Sequence, residues 1–389
     1  MTAAQIARVA FAVLALAILW RVLHVNAFVY ADANRPAWRV PPEGAGRLPA
    51  LRAALDANPA DARALVQYGV ESDRAGDAAT AKRAFASAIE IAPIDRAALR
   101  AAAALDLREG RIADAVKGLD RLVAFYPDTR EMVFPLFARA LGQPEARAAL
   151  EALAGGRTSW MGAFVVFACR DRDADPMLVA ALLGRRAAAG LAQREEVGCL
   201  TERLRRAGHW QAAYQLWLNS LPRERLADVG FVFNGGFEHA PSGVGFDWIA
   251  DASSAQGVEY PVAGGATGRR ALRVTWSGKR VGGPVVRQFL ALEPGRYELS
   301  GSARLDGLQS VRGIQWTLRC AGEAAAAPPL GVSPRFLGSG DWQRFAFPVD
   351  VPPRCAGQVL QLEPVGLHEG TTYVAGKAWF DNLRLARAH

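Results

Sequence analysis

Histidine, cysteine and lysine are scarce in this chain of 389 residues, which has five, four and four copies of them. The histidines have no H-E-x-x-H spacing and no C-x-x-C pair occurs, so zinc-type chemistry lacks a ligand set. They are His24, His209, His239, His368 and His389. A G-x-S-x-G elbow and a Gly-rich loop ending in Lys-Ser or Lys-Thr are also missing. The acidic residues are isolated in loops rather than paired for glycoside hydrolysis. The sequence therefore predicts a protein that is not an enzyme, with no catalytic residue.

Because lysine is scarce, nearly all of the positive charge comes from arginine. Of the 46 basic residues 42 are arginine, against 38 acidic residues, which gives a net charge of +8. These arginines are spread along the whole chain among Asp and Glu, whereas nucleic-acid binding needs basic residues gathered with aromatics on one face. The pattern therefore excludes nucleic acid as a partner.

Two of the four cysteines lie in the part of the chain with helical pattern and two in the C-terminal part. Cys169 and Cys199 lie in a helical part and Cys320 and Cys355 in a C-terminal part, so each part can close its own disulfide. Disulfides persist in oxidising compartments, which favours a periplasmic location. Four unpaired thiols in the cytosol remain the alternative.

The N-terminal region has the only long apolar run. Residues 6–25 reach bilayer-spanning length if Arg8 and Arg21 extend their side chains to the two interfaces. We expect a transmembrane signal anchor over residues 1–30, in a single-pass protein of the bacterial inner membrane, followed by a linker over residues 31–50. A cleaved signal peptide is the rival, but the small-x-small site at Ala31 lies far from the apolar run.

A period of 34 residues marks the next region, where Pro59, Pro93 and Pro127 recur at that interval. Such a period is typical of stacked helical hairpins. The residues inside it resemble the tetratricopeptide repeat (TPR), whose small, aromatic and proline positions match Gly69, Ala81, Phe85, Ala88 and Pro93. We therefore expect a TPR-like α-helical domain over residues 51–227. The resemblance implies a groove that binds protein partners.

From residue 228 onward the chain becomes rich in Gly, Pro and short alternating strands. In one of them Ile314, Trp316, Leu318 and Cys320 share a face, opposite Gln315, Thr317 and Arg319. Further strands are expected over residues 272–276, 297–303, 342–351, 358–362 and 379–385. The fold class is thus multidomain α plus all-β, with a β-sandwich over residues 228–389.

This β region resembles carbohydrate-binding modules of families four and nine, which are jelly rolls related to galactose-binding domains. The resemblance rests on the run Asn234-Gly235-Gly236-Phe237-Glu238 with Trp248, and on Phe380-Asp381-Asn382-Leu383 in the last strand. It implies glycan binding. It also implies a structural calcium ion held by Glu238 and Asp381, for which a purely structural role of both carboxylates is the alternative.

Sugar recognition needs aromatic faces and planar polar groups. Trp248 and Tyr260 fall in polar or Gly-rich loops and are the expected stacking platforms, with Arg287 and Gln288 as hydroxyl partners. Trp276, Trp316 and Trp342 are expected in the core instead.

The combination is similar to accessory proteins of bacterial exopolysaccharide or O-antigen assembly and export. It predicts a membrane-anchored periplasmic protein whose helices recruit proteins and whose sandwich binds a glycan. The alternative is a scaffold of a cell-envelope complex in which both domains bind only proteins.

Overall fold

The computed structural model describes residues 46–251, 253, 256–324, 327–366 and 372–388. The expected anchor over residues 1–30 and most of the expected linker lie outside these ranges. Within them, none of the helices combines the length and apolar character needed to cross a bilayer. The chain divides into two compact units, Met1–Val133 and Phe134–His389.

The described part of the first unit is helical. Its helices are α1 (Arg47–Ala57), α2 (Ala62–Arg74), α3 (Ala78–Ile91), α4 (Arg96–Arg108) and α5 (Ile112–Phe125), followed by a 3-10 turn, Pro127–Thr129. Asp61 and Asp95 cap α2 and α4 by accepting N–H bonds from the first turn. Gly76 and Gly110 end the same two helices with φ of +85° and +74°, a conformation that favours glycine. The period of 34 residues therefore repeats a cap and a turn.

Packing explains the small and aromatic positions of the first hairpin. A Cβ added at Gly69 would lie 2.5 Å from the Phe85 ring, so α2 and α3 touch where one has glycine and the other phenylalanine. Both residues are buried in that hairpin. The helical architecture is confirmed, while membership of the TPR family stays a prediction.

The second unit begins inside α6 (Arg130–Ala140) and continues with more helices. They are α7 (Pro144–Ala154), α8 (Met161–Arg170), α9 (Pro176–Ala188), α10 (Arg194–Arg206) and α11 (Trp210–Asn219), followed by a 3-10 segment, Arg223–Asp228. The predicted disulfide between Cys169 and Cys199 is present and joins α8 to α10. Arg186 and Glu196 form a buried bidentate ion pair at 2.7 and 2.8 Å between α9 and α10.

Two antiparallel sheets form the sandwich. Their strands are β1 (Ile249–Ala250), β2 (Gln256–Ala263), β3 (Arg270–Arg280), β4 (Val286–Leu290), β5 (Gly295–Ser310), β6 (Ile314–Cys320), β7 (Gly331–Val332), β8 (Gly338–Val351), β9 (Gln358–Pro364) and β10 (Tyr373–Arg387). The first sheet has the order β1-β4-β9-β6-β7 and the second β2-β3-β10-β5-β8. The predicted helical region followed by a β-sandwich is thereby confirmed.

Apolar side chains from the inner faces of both sheets make the core. Trp316 and Leu318 of β6 point inward as their alternation predicts, and Trp276 of β3 is buried with them. Trp342 is only partly buried. The predicted disulfide between Cys320 and Cys355 is present and connects the end of β6 to the segment before β9.

The hairpin of α10 and α11 packs directly on the sandwich. The Trp217 ring lies edge-on to Phe233 at 4.8 Å between centroids and contacts Phe246 at 5.7 Å. A Cβ added at Gly357 would lie 2.0 Å from the Trp210 ring, so this indole lies flat against the backbone before β9. These contacts give the helices a fixed position on the first sheet.

Candidate functional site

Trp248, the expected stacking platform, has no exposed surface. Its ring packs between Phe237 and Trp316, and its indole N–H donates to the Asn234 carbonyl at 3.1 Å. A ring that solvent does not reach has no face for a sugar. This part of the prediction is wrong, because the apolar area of the indole is worth more in the core than in the Gly-rich loop around it.

Gln288, an expected hydroxyl partner, is also fully buried. Its side-chain oxygen accepts from the Phe233 N–H at 3.0 Å, and its amide nitrogen donates to the Phe233 carbonyl at 2.9 Å. Both polar atoms are therefore used to fix the segment before the sandwich, and the predicted glycan contact is wrong.

Arg287 lies on β4 and Tyr260 on β2, and both are near Asp251, which follows β1. The Tyr260 ring is partly buried and packs against the core of the sandwich. Arg287 is partly exposed, and its guanidinium lies 3.7 Å from the Asp251 carboxylate. Burial raises the pKa of the Tyr260 phenol, and the carboxylates of Asp247 and Asp251 raise it further. Asp251 thus has both predicted residues in its neighbourhood, and both remain available as glycan contacts.

The outward face of the first sheet carries a set of polar side chains that alternation places together. In one row across the sheet, the strand register aligns Arg287 of β4, Gln361 of β9 and Thr317 of β6. In the next row it aligns Phe289, Val359 and Arg319. These residues alternate with the inward core positions of β4, β9 and β6. The face therefore presents planar polar groups beside one aromatic ring.

A buried carboxylate, Glu363, organises this face. It is only 2% exposed, and it accepts from the Thr317 hydroxyl at 3.0 Å, the Arg319 guanidinium at 3.1 Å and the Gln361 amide at 2.7 Å. Arg319 also donates to the Ala327 carbonyl at 2.8 Å. A satisfied network of this kind holds its side chains in one geometry.

Three members of the network, Arg319, Gln361 and Glu363, line a hollow of about 290 Å³, while Thr317 has no exposed surface. The wall of the hollow includes Arg287 and Phe289 on one side and the 321–328 segment on the other. The sequence analysis placed Thr317 and Arg319 on the outward face but missed Gln361 and Glu363. Alternation within 358–364 carried that signal, because polar residues at every second position of a buried strand mark a shared outward face.

A larger hollow of about 760 Å³ lies among α6, α8 and α10, and it is less suited to polar recognition. Apolar residues such as Phe134 and Val166 line much of it. Its charged groups Arg170 and Glu195 pair with each other at 3.0 Å. We therefore place the candidate site on the sheet.

The two residues expected to hold calcium lie close together. Glu238 accepts from the Arg269 and Arg270 N–H groups at 2.8 and 3.1 Å, while Asp381 accepts from those of Ala266 and Thr267 at 2.8 and 3.1 Å. Burial raises the pKa of Asp381, and the Glu238 carboxylate adds to that effect. Two adjacent carboxylates suit a hard cation. Within the described ranges no third acidic, His or Cys side chain joins them, so carbonyl oxygens and water would complete the shell.

Comparison with known proteins gives no match to any family model and none to the curated proteins. Solved structures with some likeness include a carbohydrate-binding module (CBM) of the type CBM4, with 14% identity and a TM-score of 0.30 over 40% of this chain and 99% of that one. TmCBM61 in complex with β-1,4-galactotriose has 14% identity and a TM-score of 0.26 over 41% and 99%. MamA has 11% identity and a TM-score of 0.25 over 47% and 89%.

Proposed function

We propose that the sandwich binds a glycan on the outward face of its first sheet. The observation that carries the proposal is an open hollow lined by Phe289, Arg319 and Gln361, whose polar side chains are held in place by the buried Glu363. Planar amide and guanidinium groups bind sugar hydroxyls, and an aromatic face packs on the apolar side of a pyranose. Because the network is complete without ligand, its side chains are ordered before binding, which lowers the entropic cost of binding.

The proposal assigns binding without catalysis. A glycosidase needs one carboxylic acid with a raised pKa and a second carboxylate across the scissile bond. The oxygens of Glu363 instead accept hydrogen bonds from three protein donors, and no second carboxylate is placed across the hollow from it in the network described above. We expect no hydrolysis of any polysaccharide that binds, and release of reducing ends would contradict this assignment.

Binding of a glycan panel to the purified full chain tests the site. Gln361→Ala removes one member of the network and should weaken binding at least about tenfold, the effect of losing one to two hydrogen bonds. Gln343→Ala, at an exposed position of β8 in the other sheet, is the matched control and should bind like the unchanged protein. Equal loss or equal retention in both variants would reject this face.

We further propose that Glu238 and Asp381 hold a structural calcium ion. The support is the approach of two carboxylates, one of them buried, next to the backbone of the 264–270 loop. Calcium added at neutral pH should then raise the melting temperature of the protein, while magnesium should not, and Asp381→Asn should abolish the increase. An unchanged melting temperature would show that the backbone N–H groups alone satisfy the pair.

For the whole chain we propose a membrane-anchored periplasmic accessory protein of exopolysaccharide or O-antigen assembly. Two disulfides support an oxidising compartment, and the capped helical hairpins of the first unit support recruitment of protein partners. The second candidate is a scaffold that binds only proteins. Pull-down of envelope proteins by a full chain that binds no member of the glycan panel would favour that candidate.

A further inference from the structure

A helical side chain, Arg205 of α10, reaches the edge of the candidate glycan face. Its guanidinium carbon lies 3.6 Å from the centroid of the Phe289 ring and 5.9 Å from that of Trp210. Arg205 is only 8% exposed. Since Phe289 lines the hollow on the sheet, this contact joins α10 to the wall of the site.

Several donors of the cations at this edge have no acceptor. Nε and Nη1 of Arg205, and Nε of Arg287, are buried without a hydrogen-bond partner among the described residues. Leaving buried N–H groups of a charged side chain unpaired is costly. A carboxylate that enters beside Phe289 would supply these donors with an acceptor.

The nearby acidic groups do not balance the positive charge. Glu202 is shared, since it pairs with Arg205 and also with Arg206 at 2.8 Å. Asp251 lies 3.7 Å from Arg287, beyond normal hydrogen-bond length. Burial lowers the pKa of Arg205, while the Glu202 carboxylate raises it. The positive charges of Arg287 and Arg206 also lower it. Glu202 is thus shared by two guanidinium groups, and Asp251 makes no normal hydrogen bond with Arg287. A carboxylate ligand would give Arg205 and Arg287 the acceptor that each lacks.

We propose that the glycan bound by this face is acidic, and that a sugar carboxylate of the uronate type is bound by Arg205 and Arg287. Guanidinium groups match the planar geometry of a carboxylate. The helices then contribute a binding residue to the sandwich, and the site is complete only when α10 is seated on the sheet. This inference rests on the proposed function, because it names the ligand class for the same face.

Titration of the full chain with three related oligosaccharides tests the inference. They are trigalacturonate, its methyl ester and neutral α-1,4-galactotriose, so charge varies while linkage and size change little. We expect the acid to bind at least tenfold more tightly than its ester, with affinity that falls as salt rises. Equal binding of the acid and the ester would overturn the inference and leave the proposed function standing. Binding of none of the three would reject this ligand class, and binding of no member of the wider panel would reject glycan binding itself.

Two variants separate charge recognition from folding. Arg205→Met keeps an apolar side chain over Phe289 and should remove most of the preference for the acid, as should Arg287→Gln at its partly exposed position. Arg206→Gln is the matched control, because Arg206 is largely exposed and pairs with Glu202 at 2.8 Å. Circular dichroism checks that all three fold. Retention of the full preference in both Arg205→Met and Arg287→Gln would assign the selectivity to other residues and overturn the inference.

Discussion

Three residues with left-handed backbone lie in the two runs that resemble carbohydrate-binding modules. Asn234, Phe237 and Asn382 have φ of 49°, 52° and 55°, and for a phenylalanine this conformation is unusual. The two runs meet directly, because the Leu383 N–H donates to the Gly235 carbonyl at 2.9 Å. The residues of the two runs therefore form one junction between the first and last segments of the sandwich. Their role is to stabilise the fold, and they do not select a ligand.

Gly235→Ala should break that junction. The new Cβ would lie 1.9 Å from the Leu383 carbonyl oxygen, which belongs to backbone and has little freedom to move. Overpacking of this kind costs about 1–3 kcal/mol or more, measured as a lower free energy of unfolding in urea. Gly282→Ala is the control, since no atom lies within 4 Å of its added Cβ. Equal stability of the two variants would contradict the junction.

Asp381 should give the protein a measurable dependence of stability on pH. Its pKa is raised in the folded state, mainly by burial and also by Glu238. The folded protein therefore binds the Asp381 proton more tightly than the unfolded chain does. The resulting stabilisation is fully present below about pH 3.9, the pKa of the unfolded group. It is lost as the pH rises through the higher pKa of the folded state. In calcium-free buffer, Asp381→Asn should flatten this part of the melting-temperature profile. Asp341→Asn, at an exposed position of β8, should leave it unchanged.

At the scale of elements, the contact between the α10–α11 hairpin and the sandwich was not expected. The sequence predicted a helical domain that ends at residue 227 and no contact between Trp217 of α11 and the β region. The indole instead fits against Gly245 and Phe246 of the segment before β1. A helical period shows that an apolar face exists, but the partner of that face depends on which element follows in space.

Trp217→Ala should loosen this contact. Removal of a buried tryptophan costs about 3–5 kcal/mol, and the expected result is faster hydrogen exchange in α10, α11 and the 229–248 segment. Tyr373→Ala, at a position 59% exposed, is the control and should cost no more than about 0.5 kcal/mol. A change spread evenly over the chain would show that the effect is not specific to the hairpin.

The disulfide between Cys320 and Cys355 closes a loop with a sequence separation of 35 residues. Cross-linking a loop of this length contributes about 3–4 kcal/mol in the chain-entropy model. Cys320→Ser with Cys355→Ser should lower the free energy of unfolding by that order. An unchanged free energy of unfolding in this variant would contradict the expected contribution of the disulfide. Reductant should destabilise the variant further only by opening the Cys169–Cys199 bond.

At the scale of the whole molecule, the two disulfides make a prediction about the native protein. The chain isolated under non-reducing conditions should contain no titratable thiol before denaturation or after it, since both pairs are closed. A C-terminal alkaline phosphatase fusion should be active, because that reporter requires the oxidising side of the membrane. Four reactive thiols with an inactive fusion would reject the periplasmic proposal.

Much of the architecture could be predicted from the sequence because it depends on local pattern. Strand β6 has the bounds that its alternation predicts, Ile314–Cys320. Aspartate caps and turn glycines mark the ends of α2 and α4 by local hydrogen bonding and backbone freedom. The disulfide pairs followed from the division of four cysteines between two regions.

The site was less predictable because its residues come from separate strands. Trp248 and Gln288 have the right chemistry for sugar binding, yet the tertiary structure buries both. Glu363 and Gln361 meet Thr317 and Arg319 only through the register of β9 with β6, and Arg205 reaches Phe289 only because α10 is seated on the sheet. Periodicity, capping and composition are properties of neighbouring residues, so the sequence alone determined the elements. Burial, register and charge balance depend on residues far apart in the chain, and only the folded molecule decided them.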